Sequence, residues 1–437
     1  MAMLRAGRLC RRFSSLSKAS LDVDGVFMNR CELAKLQRAL SKRPGDAGVV
    51  AALQGPKSSG KTMLISEFCR RQREGMFAGT STYVSLRHPG LTDPGRLATG
   101  LMGGFLKSVS SFRAVDTGKD VVGQWAMEVG LKDEDLETHP FGYGHFRLFE
   151  EPEPTGMVAV LDALRRCFLS WMKILRLEGG LYTKGFPTIF IDEASALMSW
   201  TETADGRAAM NLLFRCLLAM SQEDCSTNVV LGSSESFFER WLGNCTPVGG
   251  HRVAEWYVGH FPEPLAKAYF MRRVGEAKQA EVAPLWDGVY RLYGGQALEL
   301  NLLAGLICDS EPGEAAEVFR GEAGLSTSSA VSDVVSGWSP RRLERFDGRS
   351  DALWKPEEWT EVIRVCAKAP DGVVPKCELK IAQESVDSMI EHDRLQVQPV
   401  ISWAESRTDQ DLDSYPLVMP MTKAEHHGMK RLARQLS

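Results

Sequence analysis

Short apolar runs alternate with stretches in which apolar positions recur every three or four residues. Residues 48–54 (GVVAALQ) read as a strand buried on both faces that ends directly at a glycine. Residues 81–87 (STYVSLR), 186–191 (FPTIFI) and 228–231 (NVVL) are further strand candidates, with a fifth at 256–260. Helical patterns lie between them. Leu33, Leu36 and Leu40 share one face, a helix is expected over 61–71, and 207–220 is similarly patterned. Residues 157–175 place Val160, Leu161, Leu164, Phe168, Trp171 and Leu175 at helical spacing. Strand and helix signals in alternation imply an α/β fold, a parallel sheet with helices on both faces.

Beyond residue 261 the pattern changes. Residues 262–325 are purely helical, the size of a small lid, and 326–350 are rich in Ser and Gly, which predicts a linker. A last unit, 351–437, shows helices over 357–369 and 383–392 and a turn at Pro370-Asp371-Gly372. It continues with strands at 395–400 and 416–418 and a closing helix from Thr422. Within the first part, 22–261, the long region around 104–185 reads as an insertion, and its acidic, Pro-bearing portion 131–156 as a solvated excursion. No internal repeat is visible.

Composition narrows the class. A chain of 437 residues exceeds one ordinary core, so two or three domains are expected. With 44% apolar and 25% charged residues it reads as globular, and a net charge of −4 supplies no overall basic field for nucleic acid. The ten cysteines are scattered without metal-ligand spacing, which indicates neither a zinc site nor a disulfide framework. No apolar run reaches the length of a membrane span. Residues 1–21 stand apart: Arg5, Arg8, Arg11, Arg12 and Lys18 with several serines, and no acid before Asp22. That composition is expected of a mitochondrial matrix-targeting segment, with Arg11-Arg12-Phe13-Ser14-Ser15 resembling a processing site. The alternative is a basic tail on a cytoplasmic protein.

The chemistry-bearing motif is Gly55-Pro56-Lys57-Ser58-Ser59-Gly60-Lys61-Thr62, which fits GxxxxGK[ST] between a predicted strand and a predicted helix. Glycines let the loop curl so that successive N–H groups point at phosphate oxygens. Lys61 would place its charge between the β- and γ-phosphates, and the Thr62 hydroxyl would reach Mg²⁺. Phe190-Ile191-Asp192-Glu193 closes an apolar run with two carboxylates. Asp192 is the expected Mg²⁺ partner and Glu193 the residue that polarises the attacking water. Gly232-Ser233-Ser234-Glu235 ends the fourth strand candidate. Ser233 or Ser234 would either sense the γ-phosphate or cap the helix that follows, and the residues leave both open. Arg240, Arg252, Arg272 and Arg273 are placed late enough for an arginine finger, but none is singled out.

Phe27-x-x-Arg30-x-Glu32-Leu33-x-x-Leu36, followed by a strand and GPKSSGKT, resembles the opening of the archaeal-type ATPase family, among the STAND and AAA+ branches of P-loop ATPases. The resemblance implies ATP and Mg²⁺ as ligands, a helical lid and a winged-helix-like C-terminal unit. Members carry a GG-x-P turn in the lid; here Tyr293-Gly294-Gly295-Gln296-Ala297 occupies that place, with Ala297 for the proline. Three functions compete. The first is an ATP-hydrolysing conformational switch or assembly factor with a protein partner through the lid or the C-terminal unit. The second is a DNA-associated ATPase of origin-recognition type, disfavoured because the expected recognition helix, 380–392, is acidic. The third is a non-hydrolysing nucleotide-dependent scaffold. Partner and oligomeric state are not read from the sequence.

Overall fold

Five strands form one parallel sheet: β1 (Val50–Gln54), β2 (Ser81–Ser85), β3 (Thr188–Asp192), β4 (Asn228–Gly232) and β5 (Ala254–Tyr257). Their order across the sheet is β2-β3-β4-β1-β5, and every neighbouring pair is parallel. This computed structural model describes residues 31–41, 47–74, 76–77, 79–110, 154–177, 187–235, 238–247, 253–337, 353–369, 372–391, 394–398 and 417–436. The expected targeting segment, the Phe27-to-Arg30 part of the family motif and the acidic stretch 131–153 lie outside these residues.

Parallel strands require crossover connections, and helices supply them. They are α2 (Lys61–Arg73), α3 (Pro94–Ser110), α4 (Pro154–Leu177), α5 (Ala204–Leu218) and α6 (Phe238–Cys245), while α1 (Cys31–Leu40) precedes β1. Side chains alternate across a strand, so β3 sends Ile189 and Ile191 to one face and Phe190 to the other. Ile189 and Ile191 join Val50, Ala52, Val84, Val229 and Leu231 in a core closed by α3, α4 and α5, where the rings of Phe105 and Phe168 stand 4.1 Å apart. Phe190 meets Phe68 of α2 edge-on at 5.5 Å. Both faces are therefore covered, as alternation along the sequence predicts. α4 lies within the region expected as an insertion, and its apolar stripe, Val160, Leu161, Leu164, Phe168 and Trp171, is buried in this core.

Asn228 ties the amino edge of the sheet together. Its Oδ1 accepts from Val49 N at 2.9 Å, and its Nδ2 donates to Leu40 O at 3.1 Å. One buried side chain thus sets the position of β4, β1 and α1 together, which leaves the opposite, carboxyl edge to carry chemistry.

Five helices follow: α7 (Glu263–Val274), α8 (Glu276–Val282), α9 (Trp286–Tyr293), α10 (Ala297–Cys308) and α11 (Ala315–Ser336). Trp286 is their centre. Its ring lies 5.8 Å from Phe270, and its indole N–H donates to Glu263 Oε1 at 3.2 Å. α11 corrects an expectation, because residues 326–336 are helical and not linker. Ser and Thr are weak helix formers on their own, but tertiary packing overrides propensity. Ala330 and Val334 are buried, and the Val334 carbonyl accepts the Trp359 indole N–H at 2.8 Å.

The last unit comprises α12 (Pro356–Lys368), β6 (Val374–Pro375), α13 (Gln383–Glu391), β7 (Leu395–Gln398), β8 (Leu417–Pro420) and α14 (Lys423–Leu436). Its strands form a small antiparallel sheet in the order β6-β8-β7. Trp354, Trp359, Val386, Met389 and Met429 build a second core, which Val334 of α11 completes.

Candidate functional site

β1 delivers the chain to Gly55 at the carboxyl edge of the sheet. Gly55 has φ 155°, and a Cβ built there would run into the Val258 carbonyl oxygen just after β5, so only glycine fits. The loop continues through Ser58 at φ 64° and Gly60 at φ 91°, both left-handed, and α2 starts at Lys61. A left-handed turn opening a helix presents N–H groups and the positive end of the helix dipole to an anion.

Lys61 is buried, and its ammonium donates to the loop's own carbonyls, Gly55 O at 2.8 Å and Pro56 O at 3.0 Å. Burial pushes its pKa down to about 8; Glu193, Asp192 and Glu235 hold it up, and Arg87 presses it lower. Lys57 is exposed on the loop and Ser59 is buried beneath it.

Asp192 ends β3 beside this loop. Its Oδ2 accepts from the Thr62 hydroxyl at 2.7 Å and from the Tyr83 hydroxyl at 3.2 Å. Burial pushes the carboxyl above its usual value, Glu193 adds to the shift, and Thr62, Arg87 and Tyr83 oppose it. A hydroxyl and a carboxylate oxygen at that separation suit Mg²⁺. Bonds of about 2.0–2.1 Å in an octahedron put adjacent ligands about 2.9 Å apart. The donor set therefore fits a hard cation.

Glu193 follows at φ 56° and ψ 41°, a left-handed conformation that costs a non-glycine residue roughly 1 kcal/mol or more. It turns the chain into the 3₁₀ helix Ala194–Glu202. Arg87, two residues past β2, holds it there. Arg87 Nη2 and Nε donate to Glu193 Oε1 at 2.6 and 3.0 Å, and Nη2 also reaches the Thr62 hydroxyl at 3.3 Å. One guanidinium thus spans both halves of the site.

Ser233 is buried at the end of β4, with its N–H on Leu53 O at 3.0 Å. Its hydroxyl accepts from Glu235 N at 3.1 Å, so it stabilises its own turn, and Ser234 is half-buried beside it. Of the arginines considered for a finger, Arg272 and Arg273 sit in the last turn of α7; the Arg240 side chain and Arg252 lie outside the described residues. Arg87 and Tyr83 are not singled out by the sequence, and Glu235 enters there only as the end of the Gly232-Ser233-Ser234-Glu235 turn. Their signal was position alone, at or just past the carboxyl ends of predicted strands.

Behind the loop the main chain continues into the lid. Val258 N donates to Gln54 O at 2.7 Å, and Phe261 N donates to Gly295 O at 2.9 Å. A Cβ at Gly295 would collide with the Phe261 carbonyl. The Gly294-Gly295 turn is thus pressed against the segment that also backs Gly55.

No protein-family model matches the chain, and no curated protein sequence matches it. Among solved structures, the Walker-type ATPase PABY2304 of Pyrococcus abyssi aligns over 93% of this chain and 96% of its own, at 13% identity and a TM-score of 0.47. Aeropyrum pernix ORC2, in its ADPNP-ADP complexes, aligns over 94% and 97% at 11% identity and a TM-score of 0.40. Drosophila ORC bound to DNA aligns over 89% and 90% at 9% identity and a TM-score of 0.37. At such values the geometry of the chain itself decides, and its sheet, loop and strand-end carboxylate make the P-loop NTPase fold.

Proposed function

We propose that the chain binds ATP with Mg²⁺ at Gly55–Thr62 and hydrolyses it with Glu193, acting as a nucleotide-driven conformational switch or assembly factor. The observation that carries this reading is the meeting of Lys61, Thr62, Asp192 and Glu193 at one sheet edge, with Arg87 bridging Glu193 and Thr62. Lys61, released from the Gly55 and Pro56 carbonyls, would donate to the β- and γ-phosphates. Thr62 and Asp192 would hold Mg²⁺, which neutralises charge on the transferred phosphoryl group. Glu193, freed from Arg87, would orient the attacking water, while Ser233 keeps the β4 turn rigid beside it. The proposed core, 22–261, passes its state through Phe261 and Gly295 to a lid reaching to about residue 325.

The experiment is one substitution compared with the parent. Glu193→Gln is expected to leave ATP affinity nearly intact and to lower turnover by about 10²–10⁴. Turnover equal to the parent's would remove Glu193 from the chemistry, and a parent without any turnover would favour the scaffold reading.

One observation supports the second reading, a DNA-associated ATPase of origin-recognition type. The C-terminal elements run helix, strand, helix, strand, strand with sheet order β6-β8-β7, which is the order of a winged helix. We take residues 351–437 as winged-helix-like and residues 1–21 as a mitochondrial targeting segment.

A further inference from the structure

Each acid of the site is engaged from the β2 side. Arg87, two residues past the strand, bonds the Glu193 carboxylate, and Tyr83, inside it, bonds that of Asp192. Pairing with β3 fixes where Tyr83 stands. It lies opposite Phe190 and Ser85 lies opposite Asp192, and Leu86 N extends the pairing to Asp192 O at 2.9 Å. Asp192 is 1% exposed, and a carboxylate that deep has to be hydrogen-bonded. Among the described residues its donors are two hydroxyls, both on Oδ2: Thr62 at 2.7 Å and Tyr83 at 3.2 Å. The other oxygen, Oδ1, is backed by Gly232 of β4, where a Cβ would come within 3.0 Å of it. Three elements, α2, β2 and β4, thus close on one carboxylate.

We propose that Tyr83 is a positioning residue for the metal half of the site: acting through Asp192, its phenol holds the carboxylate in the orientation that takes Mg²⁺ with the nucleotide. The inference rests on the assignment of Thr62 and Asp192 to Mg²⁺ made above. The two hydroxyls on Oδ2 differ in what they serve. Thr62 opens α2 directly after the phosphate loop and is itself an expected ligand, so its bond to Asp192 changes with whatever the loop holds. Tyr83 belongs to a strand that reaches the site only through Asp192, and its bond is independent of the loop. A hydrogen-bond partner behind a metal ligand fixes the ligand's direction, and its loss commonly costs 10–100-fold in metal affinity. At 3.2 Å the Tyr83 bond is long for an O–H donor, which puts the expected effect at the lower end, about tenfold. The competing explanation is packing, in which a half-buried phenol merely finds an acceptor. Packing needs the ring, whereas positioning needs the oxygen. On this assignment the two β2-side contacts divide the work: Tyr83 acts on the metal ligand, and Arg87 on the residue assigned to the water.

The test is a Mn²⁺ titration of the full chain, in excess over a non-hydrolysable ATP analogue, followed by the electron paramagnetic resonance signal of free Mn²⁺. Nucleotide affinity in EDTA and the Mg²⁺ dependence of turnover are measured beside it. Tyr83→Phe deletes the oxygen and keeps the ring. It should weaken Mn²⁺ binding about tenfold and raise the half-saturating Mg²⁺ for turnover by the same factor. The plateau rate and the metal-free nucleotide affinity should stay within about twofold of the parent, because the phenol reaches neither phosphate nor water. Thr82→Val, a change of like size on the opposite face of β2, should leave all four quantities as in the parent. Mn²⁺ affinity in Tyr83→Phe equal to the parent's overturns the proposal. So does an equal loss of metal-free nucleotide affinity, which would make the phenol a packing residue. A parent that binds neither nucleotide nor Mn²⁺ refutes the ATP reading and the role of Tyr83 with it; a parent that binds both, with Tyr83→Phe unchanged, refutes the role of Tyr83 alone.

Discussion

Replacing Arg87 by alanine removes the guanidinium that occupies Glu193. In the structure Arg87 donates to Glu193 Oε1 at 2.6 and 3.0 Å and to the Thr62 hydroxyl at 3.3 Å. Both bonds draw charge from Oε1 and fix the carboxylate's direction, so on the proposed latch the pair opens before Glu193 orients the water. The cost of opening follows from exposure. Arg87's side chain is 55% exposed and Glu193's 22%, which makes this a partly wet pair worth about 1 kcal/mol, not the several of a buried one. An opening cost of that size leaves Glu193 free in roughly one molecule in six. Arg87→Ala is therefore expected to raise basal turnover about sixfold while ATP affinity stays within about twofold. Phosphate release at saturating ATP and a fluorescent-nucleotide titration measure the two quantities. In a Glu193→Gln background the same substitution should add nothing, because the cycle isolates the pair. A fall in turnover of about tenfold or more would refute the latch. It would mean that Arg87 contributes at least ~1.4 kcal/mol to the transition state.

Lys61→Ala should weaken ATP binding by one to two decades, the worth of one charge-assisted hydrogen bond, with the melting temperature of the protein preserved; a titration checks it. The lowered Lys61 pKa of about 8 also gives ATP affinity a pH dependence. Only the protonated lysine pairs with phosphate, so affinity should be level below that pKa and fall about tenfold between pH 7 and 9. A flat profile would contradict the burial of the ammonium. Gly295→Ala drives a Cβ into the Phe261 carbonyl and should lower unfolding stability by about 2 kcal/mol or more, read from the denaturant midpoint. Residues 1–21 fused to a fluorescent protein should direct it to mitochondria, and Arg5, Arg8, Arg11 and Arg12 changed together to Glu should stop it; diffuse signal from the intact fusion would oppose the targeting role.

The parts of this molecule that follow from local rules were legible in its residues. Val50–Gln54 running into Gly55, and Thr188–Asp192 ending in carboxylates, are strands whose apolar content and exit residues identify them without knowledge of neighbours. Arg87 was not legible as a partner of Glu193, because that contact needs β2 beside β3, a matter of sheet order that no local pattern encodes. The helical state of residues 326–336 was missed for a related reason. Their Ser-rich composition favours a linker, and what holds the helix is burial of Ala330 and Val334 and the indole of Trp359, a residue further along the chain.

The joint between phosphate loop and lid is made of main chain. Gly55 lies against the Val258 carbonyl, Val258 N holds Gln54 O, and Phe261 N holds Gly295 O. Such a joint has no side-chain adjustment. Exchanges at Val258 or Phe261 that keep the backbone path leave its geometry alone, whereas any Cβ at 55 or 295 jams it. Its geometry is thus set by backbone, with Gly55, Gly294 and Gly295 as the described positions where a side chain would disturb it. On the proposed switch, differences in how strongly individual variants transmit the nucleotide state would then arise on either side of the joint, in contacts such as Arg87 with Glu193 or Lys423 with Tyr290. A saturation library scored for ATP-dependent lid movement would show this as three positions restricted to glycine, 55, 294 and 295, set in a tolerant surround.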